Sequence, residues 1–212
     1  KLYTHNDTNK FSLTTNTIID IHEDSHKNIW ITTNYGGINI LPQNNSSITY
    51  HEGSTNNAPT RILTMYKSIK NELWIGTDGN GITRITTHAD KTISETQYFN
   101  NVGVKKGFYV QSIAEDDLGN IWFGTYKNGL WHYNNKQHTF SPILISNSEN
   151  VKASDVRTVF KDSKQRIWVS SNISTTVYNN KKEQIANFKN NTHGATGLIA
   201  ESIIEDKNET LW

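Results

Sequence analysis

The sequence predicts an all-β chain, a β-propeller of four-stranded antiparallel blades, and three observations predict it. Five tryptophans, Trp30, Trp74, Trp122, Trp168 and Trp212, follow one another at intervals of 44, 48, 46 and 44 residues. Each sits in the same pattern of apolar run, turn, indole-bearing run and second turn, as in "YVQSIAEDDLGNIWFGTYKNGLWHY" (109–133). The runs are short and rich in β-branched and aromatic residues, and Gly, Asn and Asp punctuate them. Several strands per unit, repeated at this period, make a propeller. A β-solenoid has a much shorter period, and the hairpin turns disfavour helical repeats.

The elements of one unit follow in order. Strand one is a β-branched run (Ile18–Glu23, Tyr109–Glu115), apolar on both faces as in a strand packed on two sides. A turn follows at Asp24, Asp116, Asp162 and Asp206, with Ser68 in the second copy. An Asp carboxylate there accepts backbone amides two residues on, so these acids are expected to form turns and not to act as general acids. Strand two carries the tryptophan (Asn28–Thr32, Asn120–Thr125), and Gly-rich or Asn-Gly turns lead to strand three (Ile38–Leu41, Ile82–Ile85, Leu130–Tyr133). Strand four is more polar ("SITYHE", "SETQYFN", "HTFSPIL", "EQIANFK"), which suits a first strand that is buried and a fourth at the rim. The tryptophans are expected to wedge between neighbouring blades. Trp131, which stands where other copies have Asn39, Thr83 and Val177, is expected to pack on strand four or to line an interface.

Blade boundaries follow from the alignment. Residues 1–11 resemble the outer strand of a preceding blade, complete blades run over 17–52, 61–100, 109–147 and 155–190, and 198–212 begins a fifth. About four and a half blades against the usual four to eight imply a larger propeller, or one completed by a partner chain.

Composition excludes several functions. A net charge of +1 with only four arginines is not the footprint of a nucleic-acid-binding protein. There is no cysteine, the eight histidines show no metal-ligand spacing, and no phosphate-loop, dinucleotide or nucleophile-elbow motif occurs, so no cofactor is expected. No run approaches the ~20 apolar residues of a membrane-spanning helix.

Function is therefore sought where the copies differ. The turns between strands two and three share one face with the connections between blades. Tyr35, Arg61, Asp78, Tyr109, Tyr126, Lys127, Asp155 and Asn172 fall there, with Asn34, Thr60, Phe108 and Ser154 beside them. Aromatic faces mixed with amides, acids and cations suit a carbohydrate, on which rings stack and polar groups bond hydroxyls.

The stretches "HEDSHKNIWITTNYGGINIL" and "EDDLGNIWFGTYKNGLWHY" resemble two-component regulator propeller repeats: acid, Gly-Asn turn, Trp, Gly-Thr, Gly-Gly-Leu and a tyrosine strand. The second copy lacks the acid and turn Gly, and the fourth lacks Gly-Thr and Gly-Gly. The resemblance implies a non-catalytic periplasmic sensor region of a Bacteroidetes hybrid two-component system. Further blades, a β-sandwich, a membrane helix and a histidine kinase would belong to the same protein. It implies an oligosaccharide ligand and a homodimer, and it carries over no catalytic residue. Two other classes remain: a protein-binding scaffold, and a propeller glycosidase, since "DLGNIW" (117–122) resembles the Asp-box turn of sialidases.

Overall fold

Sixteen strands and no helix make up the described residues of a computed structural model, which are 2–24, 27–45, 47–51, 61–88, 93–97, 107–146, 152–189 and 199–212. The strands divide into four antiparallel sheets of four, one for each complete copy of the repeat. The first sheet holds β1 (Ile18–Glu23), β2 (Ile29–Thr33), β3 (Gly37–Leu41) and β4 (Thr49–His51). The second holds β5 (Ile62–Lys67), β6 (Glu72–Gly79), β7 (Ile82–Thr87) and β8 (Ile93–Gln97). β9 (Phe108–Glu115), β10 (Ile121–Tyr126), β11 (Gly129–Asn134) and β12 (Thr139–Ile143) form the third. The fourth is β13 (Val156–Lys161), β14 (Ile167–Ser171), β15 (Ser174–Tyr178) and β16 (Gln184–Lys189). Two compact units contain them: the first two sheets lie in Lys1–Phe99, the last two in Asn100–Trp212.

The acidic turn between strands one and two is a three-residue hairpin loop closed by a left-handed residue. Gly119 N donates to Asp116 O at 3.0 Å and Gln165 N to Asp162 O at 3.0 Å, while each Asp N–H bonds the carbonyl four residues on. The left-handed position is Gly119 in the third copy, but Lys27, Asn71, Gln165 and Glu209 occupy it elsewhere, with φ between 61° and 66°. The carboxylate does more than shape this turn. Asp116 Oδ1 accepts the N–H groups of Leu118 (3.0 Å) and Asn120 (2.9 Å), and Oδ2 accepts the Trp122 indole N–H at 3.0 Å. The same indole bond joins Trp30 to Asp24 (2.9 Å), Trp168 to Asp162 (2.8 Å) and Trp212 to Asp206 (3.2 Å). Aspartate and tryptophan, six residues apart in sequence, thus lock the hairpin from both ends.

The indoles anchor the cores. In the first unit Trp30 packs with Ile62, Met65, Leu73 and Ile75 of the next sheet. In the second, fully buried Trp122 packs with Val156, Val159, Ile167 and Tyr178 of the next sheet, its ring 5.6 Å from that of Tyr178. Trp74 is also fully buried, and Trp168 is half-buried and stacked on Phe188. Trp212 is the exception at 73% exposed; with Trp168, Phe188 and Ile203 it lines an apolar groove of about 390 Å³.

The Gly-Thr dipeptide after the tryptophan gains a reason. A Cβ on Gly124 would stand 2.8 Å from the Val156 carbonyl and 2.9 Å from its Cγ1, so the close approach of β13 requires glycine. The Thr125 hydroxyl donates to Gly129 O at 2.6 Å across the following turn. Thr33 to Gly37 O, Thr77 to Gly81 O and Ser171 to Ser174 O repeat that bond.

Several expectations change. Burial peaks in strands two and three and not in strand one: β15 is buried throughout, whereas β1 alternates exposed and half-buried, with Ile21 59% exposed. Apolar composition marks a strand that can be covered, but neighbours decide whether it is. The stretch expected as an outer strand, 1–11, holds no strand in its described part, 2–11; Asn6 and Asn9 side chains bond amides two residues on and turn the chain instead. Of the fifth copy, residues 199–212 form a hairpin bridged at Glu205 and Leu211. Trp131 stands opposite Pro142 of strand four in the β11–β12 register and also packs edge-on against Phe108 of strand one at 5.6 Å, and its indole donates to Asn128 O.

Candidate functional site

A recurring backbone pair places most of the variable residues. Four positions after Trp30, Trp74, Trp122 and Trp168, the residue pairs with one near the start of strand one. Asn34 N donates to Thr17 O (2.9 Å), Asp78 N to Arg61 O (2.8 Å) and Asn172 N to Asp155 O (2.8 Å), while Tyr126 faces Tyr109 in the β9–β10 register. The pair is one piece of geometry with four chemistries: Thr/Asn, Arg/Asp, Tyr/Tyr and Asp/Asn. One position further on, Tyr35 and Lys127 hold left-handed φ values of 63° and 69°.

A second recurrence lies next to it. Strand one carries a β-bulge in every sheet, leaving Ile19, Leu63, Gln111 and Arg157 as the extra residue between paired neighbours. Bulges re-aim a side chain at the end of a strand. Strict alternation across strand one would have hidden this, so Gln111 and Arg157 escaped sequence reasoning. The available signal was their polarity within apolar runs.

In the first unit the structure brings Tyr35, Arg61 and Asp78 together. The Arg61 guanidinium lies 4.9 Å from the Tyr35 ring centre and forms an ion pair with Asp78, and Arg61 also bridges Asn34 in the backbone. Tyr35 is 62% exposed. Thr60 lies outside the described residues.

In the second unit the remaining five converge in one hydrogen-bonded edge. Tyr109 and Tyr126 meet edge-to-face at 6.0 Å, and Lys127 Nζ lies 4.9 Å from the Tyr126 ring centre. Gly129 N donates to Ser154 O at 2.9 Å, which joins the Lys127 turn to the start of β13. Asn172 Oδ1 accepts the N–H groups of Ser154 and Asp155 at 3.2 and 3.3 Å. The Asp155 carboxylate accepts from Gln111 Nε2 at 2.7 Å and lies 3.4 Å from Arg157 Nε, and Arg157 also pairs with Glu201. Those carboxylates hold the Arg157 guanidinium above its ordinary pKa, Glu201 first. Phe108, by contrast, is buried under Trp131.

The perturbed acids lie elsewhere, in the Trp-bonded turns. Burial pushes the Asp116 carboxyl up, but His132 Nε2 at 3.7 Å, the Trp122 indole and the Asn120 amides outweigh it and hold the group below the ordinary carboxylate value. Asp162 is lowered likewise, burial being overcome by Trp168 and Arg166. These groups are saturated with donors, which makes them structural acids and poor proton donors to a substrate. Among the described residues no cluster of three or more His, Asp or Glu is arranged to hold a metal ion.

Residues 12–35 and 105–127 match the family described as two component regulator propeller. Both stretches are similar to two-component regulator propeller repeats. Those matches cover strand one to the strand two–three turn in the first and third copies. The chain is 27% identical over 152 residues to "Histidine kinase P4" of Formosa agariphila, a match over 68% of this chain and 11% of that protein. Two solved structures share its fold, both described as extracellular domains of hybrid two component systems of B. thetaiotaomicron. BT3049 matches with a TM-score of 0.76 at 20% identity, over 100% of this chain and 27% of the other. BT4673 matches with a TM-score of 0.68 at 20% identity, over 92% and 25%. The chain thus spans about a quarter or less of the length of these relatives. The sheets are propeller blades.

Proposed function

We propose that this chain is ligand-binding propeller of the extracytoplasmic sensor region of a hybrid two-component system, non-catalytic itself, which binds an oligosaccharide and signals to a histidine kinase of the same protein. One observation carries the reading: the strand-one/strand-two pair is invariant in backbone geometry and different in side-chain chemistry in every blade. A scaffold held constant under changing aromatics, amides and charges is what selective recognition of a polar ligand needs. The regulator propeller repeats and the likeness to extracellular domains of hybrid two component systems support the sensor role and the location. Asp78 and Asp155, the two acids at these edges, are each engaged by an arginine, which supports a binding role over a catalytic one. A homodimer is part of the proposal, since two sensor regions acting on paired kinases need it.

Thermal-shift measurements against an oligosaccharide panel test the binding step. A raised melting temperature with at least one sugar is expected, because a ligand that binds only the folded state stabilises it by mass action. No shift with any sugar would turn attention to the protein-binding alternative, and release of a labelled fragment from any glycan would overturn the non-catalytic reading.

A further inference from the structure

The charge at the two variable edges is balanced differently, and the difference says what kind of ligand the second unit takes. In the first unit Arg61 is neutralised by Asp78. In the second, Arg157 is held between Asp155 and Glu201, and Asp155 is bonded by Gln111 as well. Among the described residues Lys127 has no carboxylate partner. Its ammonium lies over the exposed face of Tyr126, itself 43% exposed, in a turn tied through Ser154 to Asn172. Asn172 spends its side-chain oxygen on two backbone amides, so its NH₂ group is the part available to a ligand. The edge therefore offers a cation without a counter-charge among the described residues, an amide donor and two tyrosine rings set edge-to-face. Lysine at φ 69° is a strained choice for a left-handed turn position that favours glycine, and it keeps that ammonium at the edge.

We infer that the edge built from Tyr109, Tyr126, Lys127 and Asn172 binds an acidic saccharide, one that carries a carboxylate or sulfate group. Lys127 meets the anion, Asn172 donates to an adjacent oxygen, and the sugar ring lies against the exposed tyrosine face. This rests on the oligosaccharide reading above and narrows it to a charge class. Neutral sugars would leave the Lys127 ammonium unmatched and gain only stacking and hydroxyl contacts.

A glycan array of neutral, carboxylated and sulfated oligosaccharides, followed by calorimetric titration of the best binder, tests it. Binding confined to carboxylated or sulfated members, weakening as salt is added, is expected, and the two acidic classes separate uronate from sulfate recognition. Lys127→Gln should reduce affinity about tenfold or more, the scale of losing a charge-assisted contact, and Lys127→Arg should restore most of it. Lys127→Gly relieves the left-handed strain while removing the cation, so its loss of binding with an unchanged or raised melting temperature rules out misfolding as the cause. Binding of neutral sugars alone, or acidic binding untouched in Lys127→Gln, overturns the inference and leaves the oligosaccharide reading standing. Binding of no glycan at all overturns both.

Discussion

Asp116 shows how much one side chain carries. It closes the turn through its backbone, satisfies two amides through one oxygen and fixes the Trp122 indole through the other. Asp116→Asn keeps the size but turns an acceptor into a donor facing donors, and a loss of about 1–3 kcal/mol is expected by urea unfolding. Trp122→Ala should cost more, about 3–5 kcal/mol, since the indole also fills the core shared by two blades. Tyr178 offers the opposite case. Its phenol is buried, pushed up to about 12 by that burial, and its hydroxyl makes no hydrogen bond among the described residues. Tyr178→Phe keeps the ring against Trp122 and removes the unpaired hydroxyl, so unfolding should show unchanged or increased stability, with a gain of up to about 1 kcal/mol.

The turn and the strand are the next scale. Gln165 sits in the left-handed region at φ 66°, where the third copy has Gly119. Gln165→Gly should therefore stabilise the hairpin by up to about 1 kcal/mol, the strain relieved exceeding the chain entropy glycine adds. Gly124→Ala works the other way: its Cβ meets the backbone of β13, and a loss of about 1–3 kcal/mol in the same assay is expected. At this scale the sequence was an uneven guide. The four-strand order, the acidic turns and the tryptophan seats follow from period and turn chemistry, because both are local. The Asp-to-indole bond was legible in principle, since both residues recur six apart, but spacing alone does not say that two side chains on either side of a turn touch. The bulge that presents Gln111 and Arg157 showed only as a polar residue within an apolar run, because a shift of register leaves no other mark in one strand read alone. The variable residues were found as the positions where copies disagree; their grouping, Tyr35 with Arg61 and Asp78, and Tyr109 with Tyr126 and Lys127, depends on the pairing of strand ends.

Over the whole molecule the repeated carboxylates set the response to acid. Asp116 and Asp162 have folded pKa values below the ordinary 3.8. A lowered folded pKa contributes stability that is fully present above the unfolded value and is lost as pH falls through the folded one. The protein should thus be insensitive to pH near neutrality from these groups and lose stability below about pH 4 as they take up protons. Tryptophan fluorescence during acid titration reports it, since the indoles are the bonded partners. In the double variant Asp116→Asn, Asp162→Asn the acid limb should flatten while neutral stability drops; an unchanged acid limb would show that other groups govern it.

The threonine or serine hydroxyl that fastens each strand two–three turn has an evolutionary consequence. Because the main chain there is pinned from within its own blade, the neighbouring positions are released from structural duty. Descendants could exchange Tyr, Lys or Asp at those sites without first surviving an unstable ancestor.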